Sequence, residues 1–356
     1  MIIKVNLLNK IPMKPIKVII TMLLVLSCAA ANAENRNGNV GFKHDTENKK
    51  VDVFIGDKFF TSYIYPDNME KQVLYPIITI SGEDITRGFP LNPRPFERTD
   101  HPHHVGLWFN FGDVNGLDFW NNSFAIKPED KHKYGSIKFD KIEKMDASTG
   151  ELHTVANWMD SEGNKLLEER TIFIFSEYNG TRHIDRITRL TAKQEEVVFT
   201  ENKEGLLGLR VDRAFEEPSR KAEKYLDSNG NVTETPILNN EGVNGVYRNA
   251  ESVTGGDVWG KKSKWVALSA NKNGEIITIV MMDHYKNPCD PAWSHARGYG
   301  LFAMNNLGGR AVDSNSPPVK ITLRNGDKIT FRHRIVIGND LSDRQVEEIS
   351  DRFNYD

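Results

Sequence analysis

The densest group of side chains that could do chemistry lies between residues 100 and 120, which read DHPHHVGLWFNFGDVNGLDFW. This segment holds three of the ten histidines of the chain, together with three carboxylates and two tryptophans. Imidazoles and carboxylates carry protons and bind metals near neutral pH, and indoles offer flat apolar surfaces. We therefore expect the rest of the chain to hold this segment at the mouth of a pocket.

The three histidines stand close together, at positions 101, 103 and 104. An extended chain would point His101 and His103 to one side and His104 to the other. Pro102 favours a turn instead, and a turn would let two of the imidazoles converge. At least one of them is expected to act in acid–base chemistry or to bind a metal, and His103 and His104 are the candidates. The alternative is that one satisfies buried backbone groups while another lies on the surface.

A glycine-containing segment follows at residues 112–118, where Asp113, Asn115 and Asp118 have the spacing of oxygen ligands. A calcium loop of the EF-hand type needs a longer oxygen series and a distal glutamate. We therefore favour a turn stabilised by side-chain hydrogen bonds of the Asx type. Asp113 stays a candidate base, and Asn115 a candidate contact to a substrate hydroxyl.

Two further places in the chain could supply reactive groups. His284 directly follows an apolar run that resembles a buried strand, and His295 and Arg297 come soon after it. Scaffolds place working groups on loops at strand ends. Arg297 is suited to a carboxylate or to sugar hydroxyls, or equally to bracing loops. Glu204 precedes a glycine between two β-rich runs, which is a suitable position for a catalytic carboxylate.

Several classes of protein are excluded or disfavoured by what the sequence lacks. It contains no nucleophile elbow, phosphate loop, HExxH motif or dinucleotide fingerprint. The net charge of −3 gives no basic field that would attract nucleic acid. Cys289 would be the one cysteine of a mature chain cut after residue 33, so a disulfide framework is excluded.

The elements that must position these residues are β-strands. About a dozen short β-rich runs are separated by turn residues, which predicts an all-β protein built as a large antiparallel β-sandwich. The clearest meander is expected at residues 137–142, 152–159, 166–175 and 182–190. Asn325-Gly326 predicts a tight hairpin between 319–323 and 328–337. Ser342 and Gln345 predict a capping box for a short C-terminal helix over 342–353.

The first 33 residues have the pattern of a signal peptide. A basic segment and a short apolar run at 18–26 precede a cleavage-like sequence that ends at Ala33. Cys28 also lies in a lipobox-like context, so a lipid anchor at Cys28 and a soluble exported form are equally favoured. Residues 34–50 are interpreted as a flexible lead-in and 51–356 as a single β-sandwich domain without a membrane span. The protein is thus expected to be exported, either periplasmic or lipid-anchored at a bacterial cell envelope.

The order of the motifs resembles a bacterial family that carries the label methane oxygenase PmoA, or is treated as a domain of unknown function. The motifs include Thr86-Arg87-Gly88, Asp100-His101-Pro102-His103-His104, Gly106-Leu107-Trp108, Gly112-Asp113-Val114-Asn115-Gly116, Trp259-Gly260-Lys261 and Tyr299-Gly300-Leu301-Phe302. The resemblance runs from about residue 52 to residue 337 and implies no established catalytic residue. The β-rich layout and the segment Arg332-His333-Arg334 are also similar to galactose-mutarotase-like sandwiches, at the level of fold.

Three hypotheses about function follow. The first is a carbohydrate-active enzyme that uses histidine and carboxylate acid–base chemistry on a sugar or glycoside. Its candidate catalytic residues are His103, His104, Glu204, His284 and Asp113, and its candidate substrate contacts are Arg87, Trp108, Asn115, Arg210, Trp293, His295 and Arg297. The second is an oxygenase or lyase with a divalent metal held by His103, His104 and either His284 or Asp113. The third is a non-catalytic carbohydrate-binding protein. The enzyme hypothesis places His104 and His284 around one solvent-reachable hollow.

Overall fold

Alternating apolar and polar residues give many strands of this chain one buried face, whereas three neighbouring strands are buried on both faces, Leu107–Phe111, Gly205–Arg210 and Leu301–Asn305. The computed structural model describes residues 39–355, so the predicted signal peptide at 1–33, including Cys28, lies outside the described residues. Sheet A has eight antiparallel strands, in the spatial order β1 (Val40–Asp45), β2 (Lys50–Ile55), β3 (Lys58–Ile64), β4 (Val73–Ile77), β5 (Leu107–Phe111), β11 (Gly205–Arg210), β16 (Leu301–Asn305) and β15 (Trp293–Ser294).

A second eight-stranded antiparallel sheet, sheet B, packs against the first. Its spatial order is β12 (Val246–Asn249), β13 (Trp265–Lys272), β14 (Glu275–Asp283), β18 (Lys328–Asn339), β9 (Thr181–Ala192), β8 (Lys165–Tyr178), β7 (Glu151–Met159) and β6 (Ser136–Asp146). A small third sheet pairs β10 (Glu196–Thr200) with β17 (Lys320–Arg324). The helices are α1 (Gly309–Val312) and α2 (Asp343–Tyr355), and short 3₁₀ turns lie at Pro128–Lys133, Arg213–Phe215 and Gly255–Val258.

Apolar side chains form three layers separated by the two sheets. In β5, Leu107, Phe109 and Phe111 face sheet B and join the main core, whereas Trp108 faces outward into a smaller apolar cluster. The same alternation in β14 sends Ile279 into the main core and the residues on either side of it away from it. A strand shows this alternation because successive side chains point to opposite faces.

The outer face of sheet B is covered by α2. Val346 and Phe353 of this helix are buried against outward-facing side chains of β14 and β18. The helix begins with the predicted capping box, because the backbone N–H of Ser342 donates to Gln345 Oε1 at 3.0 Å. The helix covers sheet B, whereas the outward cluster around Trp108 lies on the far face of sheet A.

The structure confirms the all-β class, the large antiparallel sandwich and the short C-terminal helix. The predicted meander is present as β6, β7, β8 and β9, which are neighbours in sheet B in chain order. None of the helices formed by residues 39–355 is long and apolar enough to cross a membrane.

Two predictions about elements need correction. The lead-in assigned to residues 34–50 contains β1, which pairs along its full length with β2, so the sandwich begins earlier than predicted. The hairpin predicted around Asn325-Gly326 does not form, because β17 pairs with β10 while β18 lies between β14 and β9. Only Gly326 of that dipeptide has a positive φ, whereas a type I′ turn needs positive φ at both central residues.

Candidate functional site

The outward face of sheet A carries the densest group of imidazole, guanidinium and carboxylate side chains predicted from the sequence. The loop 100–104 enters β5 there, and antiparallel β11 ends beside it at Arg210. Two further strands extend this face, because β16 pairs with β11 and β15 with β16. Four neighbouring strands and the loops at their ends therefore position the site.

Arg87 holds the histidine loop in place. Its guanidinium donates to the backbone oxygens of Asp100 (2.8 Å), His101 (2.9 Å) and His104 (2.9 Å), and to Asp100 Oδ1 (2.9 Å). The side chain is fully buried. Because these bonds use both terminal nitrogens, Arg87 braces the loop, and the predicted contact with substrate is not supported by its geometry.

Asp100 links two arginines to a histidine. Its Oδ1 accepts from Arg210 Nη2 at 2.7 Å as well as from Arg87, and its Oδ2 lies 2.7 Å from Nδ1 of His101. Burial by itself raises the pKa of Asp100, but Arg210, His101 and Arg87 together lower it far below its ordinary value. Asp100 is therefore a carboxylate at any working pH, and its Oδ2 accepts a hydrogen bond from the Nδ1–H of His101.

His101 presents the accessible imidazole of the cluster. Its ring is parallel to the rings of His104, at 4.9 Å, and Tyr299, at 4.8 Å, and its side chain is 39% exposed. Because Nδ1 is turned to Asp100, the neutral ring carries its lone pair on Nε2. His101 was not among the predicted catalytic residues, although it adjoins Asp100 in the chain.

Of the two histidines that were predicted to be catalytic, His104 is buried and His103 is partly buried, and both are neutral. Burial lowers the pKa of His103 to about 2 and that of His104 well below its ordinary value, with further lowering by nearby cations. His104 Nδ1 accepts from Arg210 Nη1 at 3.3 Å, so the proton of the neutral ring is on Nε2. That Nε2 has no hydrogen-bond partner among residues 39–355. Neither ring holds an extra proton at neutral pH, so a general-acid role for them has no electrostatic support.

An indole layer supports the histidines. Trp108 lies against Gly208 of the neighbouring strand, where a Cβ would come within 2.5 Å of its ring. His104 stacks on Trp108 at 5.2 Å, and Trp120 packs beside both. Trp108 and Trp120 are fully buried, so neither offers a face for a sugar ring. The predicted stacking role of Trp108 is therefore wrong for this arrangement, since imidazole already occupies that surface.

Lys71 is a member of the site that sequence reasoning missed. It lies between β3 and β4, its Nζ donates to the backbone oxygen of His103 at 2.7 Å, and it sits 5.3 Å from the Trp108 ring centre. Burial lowers its pKa to about 7, so charged and neutral forms coexist at neutral pH. No local sequence signal marks this lysine, because the shift arises from tertiary burial.

A second imidazole and carboxylate lie on the same face. His295 Nε2 is 3.9 Å from Glu204 Oε2, beyond hydrogen-bond length, and its ring packs 5.9 Å from Trp120. Burial lowers the pKa of His295 to about 3. The guanidinium of Arg297 lies over the ring of Trp259 at 4.4 Å. The structure thus places the predicted residues Glu204, His295 and Arg297 on the sheet face that carries the histidine loop.

His284 lies on the opposite side of the sandwich. Its ring packs 5.2 Å from Phe353 of α2, on the outer side of sheet B, and its Nδ1 accepts from the Lys286 N–H. The predicted hollow shared by His104 and His284 is therefore wrong, because both sheets separate them. The alternation of β14 explains the error, since a step of one residue beyond Asp283 reverses the face.

Asp113 and Asn115 form a turn at the far end of β5. Asp113 Oδ1 accepts from the Gly116 N–H at 3.0 Å, and Asn115 Oδ1 accepts from the Val198 N–H at 2.7 Å. The five residues of β5 put this turn roughly 16 Å from the histidine loop. The Asx turn is confirmed, and neither residue reaches the site.

Trp293 is also placed away from solvent, which disagrees with its predicted sugar contact. It is 3% exposed, and the ammonium of Lys262 lies over its ring at 4.3 Å.

The predicted metal ligands do not assemble. Within the part of the chain that the structure describes, no three His, Cys, Asp or Glu side chains are placed to hold a metal ion. His103 and His104 lack a third ligand, because His284 is on the other sheet and Asp113 at the other end of β5. The divalent metal considered from the sequence has no ligand set here.

Solved structures with a similar fold include the galactosidase domain of an α-galactosidase–sucrose kinase, a galactose mutarotase-related enzyme from Lactobacillus acidophilus and a galactose mutarotase-like protein from Clostridium acetobutylicum. The sequence identities are 10%, 8% and 10%, and the TM-scores 0.38, 0.30 and 0.31. The matches cover 84%, 85% and 86% of this chain and 42%, 97% and 100% of those chains. The chain thus spans less than half the length of the first. Mutarotase-like proteins are thus among its structural neighbours, and at these identities and TM-scores the likeness carries no conclusion about the activity of this chain.

The sequence comparisons give a family without an activity. No curated protein matches the chain. The family model that matches, over residues 50–351, is described as a family of unknown function, DUF6807. The resemblance to a PmoA-like family was therefore wrong, because the motifs that suggested it fall inside this range. The chain belongs to the DUF6807 family.

Proposed function

We propose that the protein is an exported carbohydrate-active enzyme, which binds a sugar on the outer face of sheet A and transfers a proton through His101. The observation that carries this proposal is the pair formed by Asp100 and His101, at 2.7 Å. A carboxylate held by two buried arginines fixes the tautomer and orientation of an imidazole that solvent can reach. Nε2 of His101 is then free to accept a proton from a bound substrate.

The donors beneath His101 support an oxygen-rich ligand. Several buried N–H groups on this face have no partner among the described residues, and they include those of His104 (Nε2), Arg87 (Nε), Arg210 (Nε), Trp108 (Nε1) and Trp120 (Nε1). An unpaired buried donor costs about 1–3 kcal/mol. Ordered waters beneath a bound sugar would supply the missing acceptors and would in turn bind its hydroxyls. The site therefore favours a polyhydroxylated ligand over an apolar one.

The type of reaction that the site supports is proton transfer. Glycoside hydrolysis by two carboxylates needs one acid and one base or nucleophile facing the same bond. Here Asp100 is bound by two arginines, and Glu204 is paired with Lys203. Burial raises the pKa of Tyr299 to about 12, so this phenol beside His101 stays protonated and can donate a hydrogen bond. An isomerase or lyase reaction on a sugar fits this set better than hydrolysis.

The test is a comparison of His101→Gln with wild-type protein on a panel of neutral and acidic sugars, followed by NMR. NMR detects epimerisation, elimination and hydrolysis without prior choice among them. Loss of the imidazole is expected to lower kcat/KM by roughly 10²–10⁴-fold. His153→Gln is the matched control, because His153 lies 2.9 Å from Glu151 in an ordinary histidine–carboxylate pair on β7.

Equal turnover by the His101 variant and wild type would contradict the catalytic role. If wild type binds sugars but converts none of the panel, the non-catalytic binding protein becomes the better description. Sugar binding that survives in His101→Gln while turnover is lost would support the enzyme.

A further inference from the structure

An open cavity of about 660 Å³ lies beside the site, between the segment 259–262 and the segment 312–315. Its volume falls within the range of small-molecule sites. Trp259 forms part of its wall, and the Nε1 of this indole is buried without a hydrogen-bond partner in the described chain. The segment 259–262 runs along the edge strand β15, because Ser294 N–H donates to the Lys261 oxygen and Gly260 N–H to the Ser294 oxygen.

Arg297 connects this cavity to the histidine face. Its guanidinium covers one face of the Trp259 ring, at 4.4 Å. Arg297 and Tyr299 belong to one tight turn, because the Gly300 N–H donates to the Arg297 oxygen, and the Tyr299 ring stacks on His101. A ligand that extends from His101 past Tyr299 therefore arrives at Arg297 and then at the cavity.

The charges around the cavity are mostly positive. Lys261 and Lys262 are exposed in its wall, and Arg297 lies behind Trp259. Asp313 is the one carboxylate among the lining residues, and it already accepts from the Asn315 N–H and the Ser316 hydroxyl. The cavity therefore favours a ligand that brings both hydroxyls and a negative charge.

A second cavity, of about 570 Å³, gives a useful contrast. It is lined by Arg94, Asp212 and Lys272 among others, and these groups bind one another. Its charges are thus satisfied within the protein. At the cavity at Trp259, Lys262 donates to the Cys289 oxygen and lies over the Trp293 ring, but Lys261 forms no ion pair within residues 39–355 and the indole N–H is unpaired.

We propose that the cavity at Trp259 is a second saccharide subsite, which holds an acidic sugar unit of the chain whose neighbouring unit reaches His101. This inference rests on the proposed function, which it deepens by naming the substrate class. The substrate is then an acidic oligosaccharide such as a uronate-containing chain. The carboxylate of the distal unit lies near Lys261 and Lys262, and its ring hydroxyls lie near the Trp259 N–H.

The experiment is titration calorimetry with trimers of galacturonic acid and neutral trimers of galactose as probes. Wild type is expected to bind the acidic trimer about tenfold more tightly than the neutral trimer, because each favourable charge contact contributes at this scale. Lys261→Glu should weaken the binding of the acidic trimer by at least about tenfold. Lys221→Glu is the matched control, since Lys221 is exposed in a distant loop and the net charge of both variants is equal.

Trp259→Ala and Trp259→Phe test the indole separately. Both substitutions should weaken the binding of the trimers. The affinity for monomeric galacturonic acid should stay within about twofold of the wild-type value, because the monomer occupies the His101 subsite. The phenylalanine variant keeps an aromatic ring in the fold but lacks the N–H donor.

The inference is overturned if wild type binds neither trimer, if it binds both equally, or if Lys261→Glu behaves like Lys221→Glu. These outcomes are separable from failure of the proposed function. Loss of turnover in His101→Gln with unchanged trimer affinity in the Trp259 variants would retain the enzyme and remove the subsite. The reverse pattern would retain the subsite and remove the catalytic role.

Discussion

At the scale of single residues, the site depends on Asp100, whose carboxylate binds Arg87, Arg210 and His101 at the same time. One oxygen neutralises two buried guanidiniums, those of Arg87 and Arg210, and the other orients His101. A buried ion cluster of this kind contributes little net stability when complete, but removal of one partner leaves uncompensated charge. Asp100 therefore determines both the integrity of the loop and the chemistry of the imidazole.

Asp100→Asn is expected to destabilise the protein by about 3–5 kcal/mol, because two buried arginines lose their counter-ion. Urea unfolding measures this change. The control is Asp343→Asn, which removes an exposed partner of Arg248 and should cost less than about 1 kcal/mol. Equal stability of the two variants would show that Asp100 is not the counter-ion that the structure indicates.

Clustering of histidine and aspartate in the sequence pointed to residues 100–104, and the structure gathers these side chains with Arg87 and Arg210 into one cluster. The roles that the sequence suggested for single histidines do not match their burial. Which imidazole is exposed depends on packing against Trp108 and Tyr299, from other elements. The lowered pKa of Lys71 and the bracing role of Arg87 likewise exist only after distant segments meet.

At the scale of elements, local pattern predicted strands well and their partners less well. Asn273-Gly274 does form a hairpin between β13 and β14, with positive φ at both residues. Asn325-Gly326 does not, because β18 pairs instead along ten residues of β9 and with β14 on its other side. Long ladders with buried faces outweigh a local turn preference. The side of the sandwich on which His284 lies was predicted wrongly for a similar reason, because the face to which a side chain points depends on the register of its strand.

The helix α2 provides the prediction at this scale. Phe353→Ala should destabilise the protein by about 3 kcal/mol, because the ring is buried between His284 and the guanidinium of Arg334. Thermal or urea unfolding measures the loss, with the exposed Arg344→Ala as control. Turnover per folded molecule should not change, since α2 covers sheet B and the site lies on sheet A. A selective loss of activity would place α2 in the site and contradict this arrangement.

At the scale of the whole molecule, burial of neutral histidines makes the fold sensitive to acid. Burial lowers the pKa of His103 to about 2, of His183 to about 4, and of His295 and His333 to about 3. An unfolded chain protonates these rings near pH 6.5, whereas the folded protein does not. Stability is therefore present above that pH and is lost as the pH falls through it. Asp283 has the opposite effect on stability, because burial raises its pKa to about 7. The folded protein then binds one proton at Asp283 that the unfolded chain has already lost.

Urea unfolding at pH 7 and pH 5 tests this sensitivity. Each neutral histidine is expected to contribute about 1.4 kcal/mol per pH unit below its unfolded pKa. His183→Gln should reduce the slope by one such contribution, and Gln can keep the hydrogen bond to Thr181. A transition midpoint that does not change between the two pH values would contradict the assignment of neutral rings.

The architecture was the most predictable level, because alternation and turn residues alone specify a large antiparallel sandwich. The sequence did not predict that one outer face would carry the histidine loop and the other would be covered by α2. Which face of a sheet a helix covers depends on the path of the chain after β18, and no periodicity in β5 or β14 distinguishes the open face from the covered one.

The missing side chain at Gly208 has a consequence for anyone who redesigns this protein. Because Gly208 has no Cβ, the Trp108 indole can pack against β11 at this position. The position of His104 and His101 above sheet A therefore depends on a residue of β11. Libraries aimed at new specificity should therefore leave position 208 untouched and diversify the rim around Tyr299 and Arg297. A methyl group at position 208 would displace the Trp108 indole, and with it the stacked His104 ring, even if no residue that contacts a ligand were changed.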